Sequence, residues 1–394
     1  MAIVSIQKTR SDDYGGIKEA VDKVIEQTGG LQDLVHPGSR IIVKPNLVAV
    51  PADRLSGAVT RWEVCLAICE AVQQAGGIPV IAESAAAGAD TEAVIQKCGY
   101  QMLRNMGISV LDLKKEKTCD IPVKDGVMLD CLHSWEVIRD ADAIITVPVM
   151  KTHDQTEITL GMKNCKGLIS DVQKKHFHSI GVVESVCDMI GTLKPVLEII
   201  DGTYGQQGLG PIFGETKKMD LIIGSRDLVA CEAVTGMIMG YEPENVMITA
   251  SAAKRGYGEM DPAKIQIEGE SVEAVKSPFK RPAEVEIEGL PDSFHLVFDA
   301  QVCTGCRNTV ISSLMDMKAQ DLFGYLEHMT VVSGPCNEED LPQDASGENT
   351  VCIGICAKKL ADHIGARCAV GCPPGNVDTV RAILGDRREY GVRY

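Results

Sequence analysis

The sequence predicts an α/β protein: a mainly parallel sheet with helices on both faces, joined to a smaller C-terminal α/β domain rich in cysteine. Three observations predict it. Short apolar runs alternate with longer amphipathic ones over the first 240 residues, the order that right-handed crossovers produce in a sheet covered on both faces. Runs such as AIITVPV from Ala143 are apolar throughout, as in a strand buried on both sides. Finally, seven of the 15 cysteines, Cys303, Cys306, Cys336, Cys352, Cys356, Cys368 and Cys372, crowd into the last quarter of the chain.

In order, the expected elements are a strand at AIVSI, a helix over Ile17–Gln27, a strand at RIIVKPNL and a helix over Trp62–Gln74. A strand at IPVIAES, one helix over Thr91–Met106, a strand at ISVLDL, a short helix near Trp135 and the strand AIITVPV follow. Next come an irregular lysine-bearing segment, the strand VLEIIDG, a loop through Gly205, Gly208 and Gly210, the strand MDLIIGS and a helix over Leu228–Met239. These elements define a core domain over 1–270. The polar, proline-bearing stretch 271–291 reads as a linker, and 292–394 as a cysteine-rich cluster-binding domain.

A chain of 394 residues with 45% apolar composition buries a full core. Its net charge of −16 excludes nucleic acid and an anionic membrane surface as main partners. Aromatic residues at 4% disfavour a base-stacking platform. No stretch of about 18 apolar residues occurs and no export signal is visible, so a soluble cytoplasmic protein is expected, and homo-oligomers are compatible with it. Cytosolic thiols stay reduced, which argues against a disulfide framework. Cys65 and Cys69, spaced i,i+4 in WEVCLAICEAV, read as small core residues.

Function concentrates in PVMKTHDQTEITLGMKNCKGLISDVQKKHFH, residues 148–178, where five lysines and three of the eight histidines fall. Lys151, Lys163 and Lys166 interleave with Gly161, Gly167 and Asn164 instead of being spaced for i,i+4 pairing with acids, so they read as ligand-facing. The sequences KPNL from Lys44, AESAAAG from Ala82, KTH from Lys151 and DGTYGQQGLGP from Asp201 each follow a strand. In a parallel sheet all four leave the same carboxyl edge, where open α/β sheets bind ligands. Lys44, Asn46, Lys151, Thr152, His153, Lys163, Asn164, His176 and Asp201 are therefore the candidate site. No Walker A or GxGxxG loop is present.

The strings VKPNLV, PVMKTHDQTEITLGMKNCKGLI with downstream His176, and LEIIDGTYGQQGLGP resemble the domain of unknown function 362 family over residues 1–245. The resemblance implies iron-sulfur centres and anaerobic metabolism, with no assigned reaction. The chain departs from the family pattern at VACEAV, where relatives read VAVDAV, and it lacks a ferredoxin-type CxxCxxCxxxCP insert. A cluster must then come from the C-terminal cysteines.

There, the CxxC at Cys303 and Cys306 opens a helix, and VGCPPG places Cys372 before two prolines, an arrangement similar to ferredoxin CP motifs and to hydrogenase small subunits. One 4Fe-4S cluster per chain is expected on Cys303, Cys306, Cys372 and a fourth thiol, Cys356 or Cys336, with Cys356 favoured. Cys352 reads as a core residue and Cys368 as ambiguous. Zinc is the alternative metal, although zinc ribbons present two CxxC knuckles. The expected function is a redox or Lewis-acid enzyme, an oxidoreductase or lyase acting on a small anionic substrate. His153 would exchange protons while Lys151 and Lys163 stabilise charge. A non-catalytic electron-transfer or cofactor-maturation protein with a redox partner is the alternative, and a zinc-stabilised binding module the third reading.

Overall fold

The apolar runs of the first 270 residues form one ten-stranded sheet in a computed structural model, which describes residues 1–211, 214–388 and 390. Two compact units emerge. The first comprises Met1–Thr152, Ile158–Lys174 and Val183–Phe279; the second comprises His153–Glu157, Lys175–Val182 and the chain from Lys280 onward.

In the first unit the strands are β1 Ala2–Lys8, β2 Arg40–Pro45, β3 Ile78–Glu83, β4 Ser109–Asp112, β5 Thr118–Pro122, β6 Cys131–Trp135, β7 Ala143–Val147, β8 Val149–His153, β9 Glu157–Thr159, β10 Leu197–Gln207, β11 Glu215–Ser225 and β12 Ile265–Gly269. The sheet order is β12-β1-β11-β10-β7-β2-β3-β4, with β8 on β10 and β9 on β8, while β5 and β6 form a separate hairpin. Along that path β11 alone runs against its neighbours.

Both faces are covered, as period-2 side-chain alternation requires. Ile199 and Ile222 pack with Ile17, Val21, Val64 and Ile68 of the helices Tyr14–Gln27 and Trp62–Gln74. Their neighbours Ile200 and Ile223 pack on the opposite side with Ala230, Val234 and Ile238. Each such aliphatic, fully removed from water, contributes roughly 1.5–3 kcal/mol. The helix Tyr14–Gln27 starts where Asp13 accepts a 3.0 Å bond from Gly16 N, which satisfies one donor that the first turn leaves unpaired.

Three expectations need correction. The single helix over Thr91–Met106 is two, Thr91–Lys97 and Gln101–Asn105, because Gly99 adopts a φ of +82° that helical backbone does not reach. Lys151, Thr152 and His153 lie on β8, not in a loop, because the chain resumes extended pairing with β10 after Pro148. The glycine-rich segment after VLEII is mostly strand as well: β10 runs on to Gln207 against β11, shifting register between Gly202 and Tyr204.

The second unit holds a four-stranded, wholly parallel sheet of β13 His295–Phe298, β14 Thr330–Ser333, β15 Thr350–Ile353 and β16 Arg367–Ala369 in sequential order. Val331 and Val351 pack with Val310, Leu314, Val380 and Ile383 from the helices Thr304–Ala319 and Asn376–Leu384. Val332 and Cys352 turn the other way, toward Leu360 and Ala361 of Lys358–Ile364.

In the first unit, Asp188 ties a loop to a helix. Its carboxylate accepts bonds from the backbone N–H groups of Val127, Met128 and Leu129 at 3.0, 2.7 and 3.0 Å, and from Arg255 at 2.6 Å. Burial opposes ionisation, but the three N–H groups and the guanidinium outweigh it and hold Asp188 below the ordinary carboxylate range. A depressed folded pKa gives stability that is present above the unfolded value and is lost as pH falls through the folded one. Urea midpoints should therefore fall below about pH 4. Asp188→Asn should lose on the order of 2–3 kcal/mol at pH 7 and show a shallower acid slope; parallel slopes would contradict the assignment.

Candidate lysine network and metal centre

The carboxyl ends of β2 and β3 and the segment after β9 meet inside the first unit. Lys44 Nζ donates to Pro45 O at 2.6 Å, Glu83 Oε2 at 2.9 Å and Asn164 Oδ1 at 3.1 Å. Glu83 Oε2 also accepts from Leu47 N at 2.8 Å, and Asn164 Nδ2 returns bonds to Lys44 O and Thr146 Oγ1 at 2.9 and 3.0 Å. Lys151 Nζ donates to Asn46 Oδ1, Ala58 O and Pro211 O at 3.0, 2.6 and 3.1 Å. Lys174 Nζ binds Ser84 O, Ser84 Oγ and Ala85 O at 2.8, 2.6 and 2.8 Å.

All of these ammonium groups are interior. Lys44 is 1% exposed and Lys151 0%, whereas the sequence placed them toward a ligand. An interior ammonium is tolerated only when its hydrogens are satisfied, and each here meets at least three oxygen acceptors. Burial, opposed by Glu83 and aided by Lys44, draws Lys151 down to about 7, and burial draws Lys174 down to about 8. The three acceptors around Lys151 match the three hydrogens of the charged form, which favours the ammonium at neutral pH. Packing is close enough that a Cβ on Gly167 would lie 2.0 Å from Glu83 Oε1 and 2.7 Å from Lys44 Nζ.

Two buried carboxylates set the helix Gly161–Asn164 that carries Lys163 and Asn164: Glu198 accepts from Gly161 N and Glu232 from Met162 N, both at 2.7 Å. Burial raises both carboxyls, Glu232 to about 7. The sequence signal for this role of Glu232 was the acid in VACEAV, which the motif reading left aside. Asp201, expected at the ligand, accepts from Arg61 N at 2.8 Å and from Thr203 N and Oγ1 at 3.0 and 2.7 Å. Thr152 Oγ1 donates to Gly208 O at 2.8 Å. These two residues hold backbone.

In the second unit, the loops leaving β13, β14, β15 and β16 carry Cys303, Cys336, Cys356 and Cys372. Parallel pairing releases all four at one edge. Gly354 N donates to Ala369 O and Ile355 N to Gly371 O at 2.9 and 3.0 Å, which keeps the Cys356 and Cys372 loops together beyond their strands. Cys303 caps the helix Thr304–Ala319, one turn before Cys306. A hydrogen bond from the Cys306 thiol, opposed by burial and aided by the Cys306 and Gly305 N–H groups, lowers Cys303 to about 6. Cys306 moves upward through that same bond, through burial and through the charges of Cys303, Cys372 and Cys356. Burial and the charges of Cys303 and Cys356 raise Cys372. Cys303, Cys306, Cys356 and Cys372 thus form one electrostatic group. Cys336 instead sits with Asp299 and Asp340, their ligand atoms within 4.8 Å of one another, and Cys352 and Cys368 pair across β15 and β16.

The donor set suits a thiophilic metal, and Cys306 packs closely on the backbone beside it. Gly354, at φ +94°, has no side chain where a Cβ would lie 2.7 Å from Cys306 Sγ. Segments 153–157 and 175–182 belong to this unit too. Gln155 Nε2 donates to Pro374 O at 3.1 Å, Ser312 Oγ to Asp154 at 2.8 Å and Cys372 N to His178 O at 3.0 Å. His153 Nδ1 accepts from Gln155 N at 2.9 Å, and His176 is exposed on the helix Asp171–Ile180.

A family model described as "Domain of unknown function (DUF362)" matches residues 41–236. A thylakoid-associated protein of Synechocystis sp. is 27% identical over 260 residues, covering 64% of this chain and 79% of its own. The lactate racemase apoprotein of Thermoanaerobacterium thermosaccharolyticum aligns over 98% of this chain and 91% of its own, at 10% identity and a TM-score of 0.40. Among the described residues no helix is long and apolar enough to cross a membrane.

The lysine network makes a stability prediction. Replacing Lys44 by Met removes the ion-pair partner of the interior Glu83 and should cost about 3–5 kcal/mol in urea denaturation. Lys44→Met with Glu83→Gln should cost clearly less than the sum of the two single changes. Strict additivity would show that the pair is not coupled.

Proposed function

We propose that this chain is an iron-sulfur electron-transfer protein whose 4Fe-4S cluster is held by Cys303, Cys306, Cys356 and Cys372. The observation that supports the reading is the mutual charge influence of those four thiols, carried at one parallel edge by the segments that follow β13, β15 and β16. One CxxC on a helix start with two single cysteines from separate loops differs from the paired knuckles of a zinc ribbon. When bound, such a cluster supplies one-electron transfer at a potential set by hydrogen bonds and exposure.

The chain's own residues prepare the site. The N-terminus of the helix Thr304–Ala319 stabilises the Cys303 thiolate. Cys303, Cys356 and Cys372 are exposed, and Ile355 and Val370, next to Cys356 and two residues before Cys372, are 52% and 47% exposed. An accessible centre with an apolar rim suits brief docking of a redox partner, and the net charge of −16 favours a basic one.

A second reading, an enzyme acting on a small anionic substrate, draws support from three interior lysines, Lys44, Lys151 and Lys174, whose charges act on Glu83. His153 would then exchange protons, with Lys151 and Lys163 stabilising charge and Asn46, Thr152, Asn164, His176 and Asp201 positioning the ligand. In that case phosphate or a small carboxylate should raise Tm, and Lys151→Met should remove the increase. An unchanged Tm across such anions counts against the enzyme.

The electron-transfer reading has its own test. Anaerobically purified protein should be brown and contain about four irons and four sulfides per chain. Cys303→Ser, Cys356→Ser or Cys372→Ser should remove the colour, and Cys65→Ser should not. Colourless protein whose bound zinc is lost in Cys303→Ser would overturn it.

A further inference from the structure

Outside the lysine network and the C-terminal cysteines, the β5–β6 hairpin gathers a third set of donors. We propose that Asp120, Cys131 and His133 form a zinc site that leaves one coordination position to water or an external ligand. Nothing in the proposed electron-transfer function requires it.

The argument begins with register. Asp120 stands opposite His133 and Pro122 opposite Cys131, so the period of two puts Asp120, Cys131 and His133 on one face of the hairpin. Their ligand atoms, a carboxylate oxygen, a thiol sulfur and a ring nitrogen, all lie within 4.8 Å of one another. Cys119, opposite Ser134, falls on the other face.

The backbone beneath the donors is fixed by a buried amide. Gln173, 3% exposed, accepts from His133 N at 2.8 Å through Oε1 and donates to Cys131 O at 2.7 Å through Nε2. Ser170 N adds a 2.8 Å bond to His133 O. One side chain therefore clamps both residues that bring the sulfur and the nitrogen. An isolated two-stranded hairpin is marginal in water, and the clamp fixes the backbone of Cys131 and His133 beneath the donors.

The donors select the metal. Sulfur, imidazole nitrogen and carboxylate oxygen together suit zinc, which takes them at about 2.3, 2.0–2.1 and 2.0–2.2 Å. Three protein ligands leave the fourth tetrahedral position open. In the hairpin Asp120 Oδ1 and His133 Nδ1 are 2.5 Å apart. A metal replaces that bond, so the two groups must separate by about 1 Å to fit zinc coordination distances. Their side chains are 67% and 50% exposed, respectively, and free to move that far.

The test uses the full chain with its C-terminal centre loaded, dialysed against zinc and measured by elemental analysis. Wild type and Cys119→Ser should each bind one zinc per chain more than Cys131→Ser, His133→Ala or Asp120→Ala. Cobalt added in place of zinc should give a thiolate charge-transfer band that Cys131→Ser removes. Asp120 and His133 are exposed, so their variants keep the test available even if Cys131→Ser fails to fold. Equal zinc in wild type and all three site variants, or equal loss in Cys119→Ser, would overturn the proposal.

Discussion

Parallel strand pairing is the constraint on which the rest of this molecule depends. A parallel ladder sends every strand's carboxyl end the same way, so residues far apart in sequence are delivered to one edge. In the first unit it brings together Lys44 at the end of β2 and Glu83 at the end of β3. In the second unit it sets Cys303, Cys356 and Cys372 on loops that leave the same side of a four-stranded sheet. Had any of β13, β15 or β16 run antiparallel, its cysteine would have emerged at the far edge.

The two edges solve different physical problems. The first buries charge, and it does so by giving each ammonium three or more oxygens and by removing side chains where they would intrude, as at Gly167. Such a network is rigid because losing any member strands the others without water. The second edge leaves its donors accessible, with Cys303, Cys356 and Cys372 exposed and Cys306 buried against Gly354. A centre open to solvent and rimmed by Ile355 and Val370 is suited to exchange with another molecule.

Much of this was legible in the sequence because it follows from local pattern. Apolar runs such as AIITVPV announced buried strands, and Cys303-x-x-Cys306 with Gly371-Cys372-Pro373 announced a thiol site. What the sequence hid depends on partners remote in the chain. A lysine after a strand looks the same whether it faces a ligand or, like Lys151, the carbonyls of Ala58 and Pro211. Gly205 reads as a loop because its pairing with β11 is invisible locally. Asp120 and His133 are 13 residues apart in unremarkable surroundings, and only the hairpin register makes them neighbours. The role of Glu232 was hidden for the same reason, since its partner Met162 is 70 residues away.

The central claim is that the carboxyl edge of the small sheet holds a multinuclear iron centre on four thiolates. X-ray absorption at the metal edge of anaerobically prepared protein tests it most directly. The account predicts iron with a first shell of sulfur and a second shell of iron, both lost in Cys372→Ser. A single zinc shell of sulfur near 2.3 Å with no metal neighbour would contradict it.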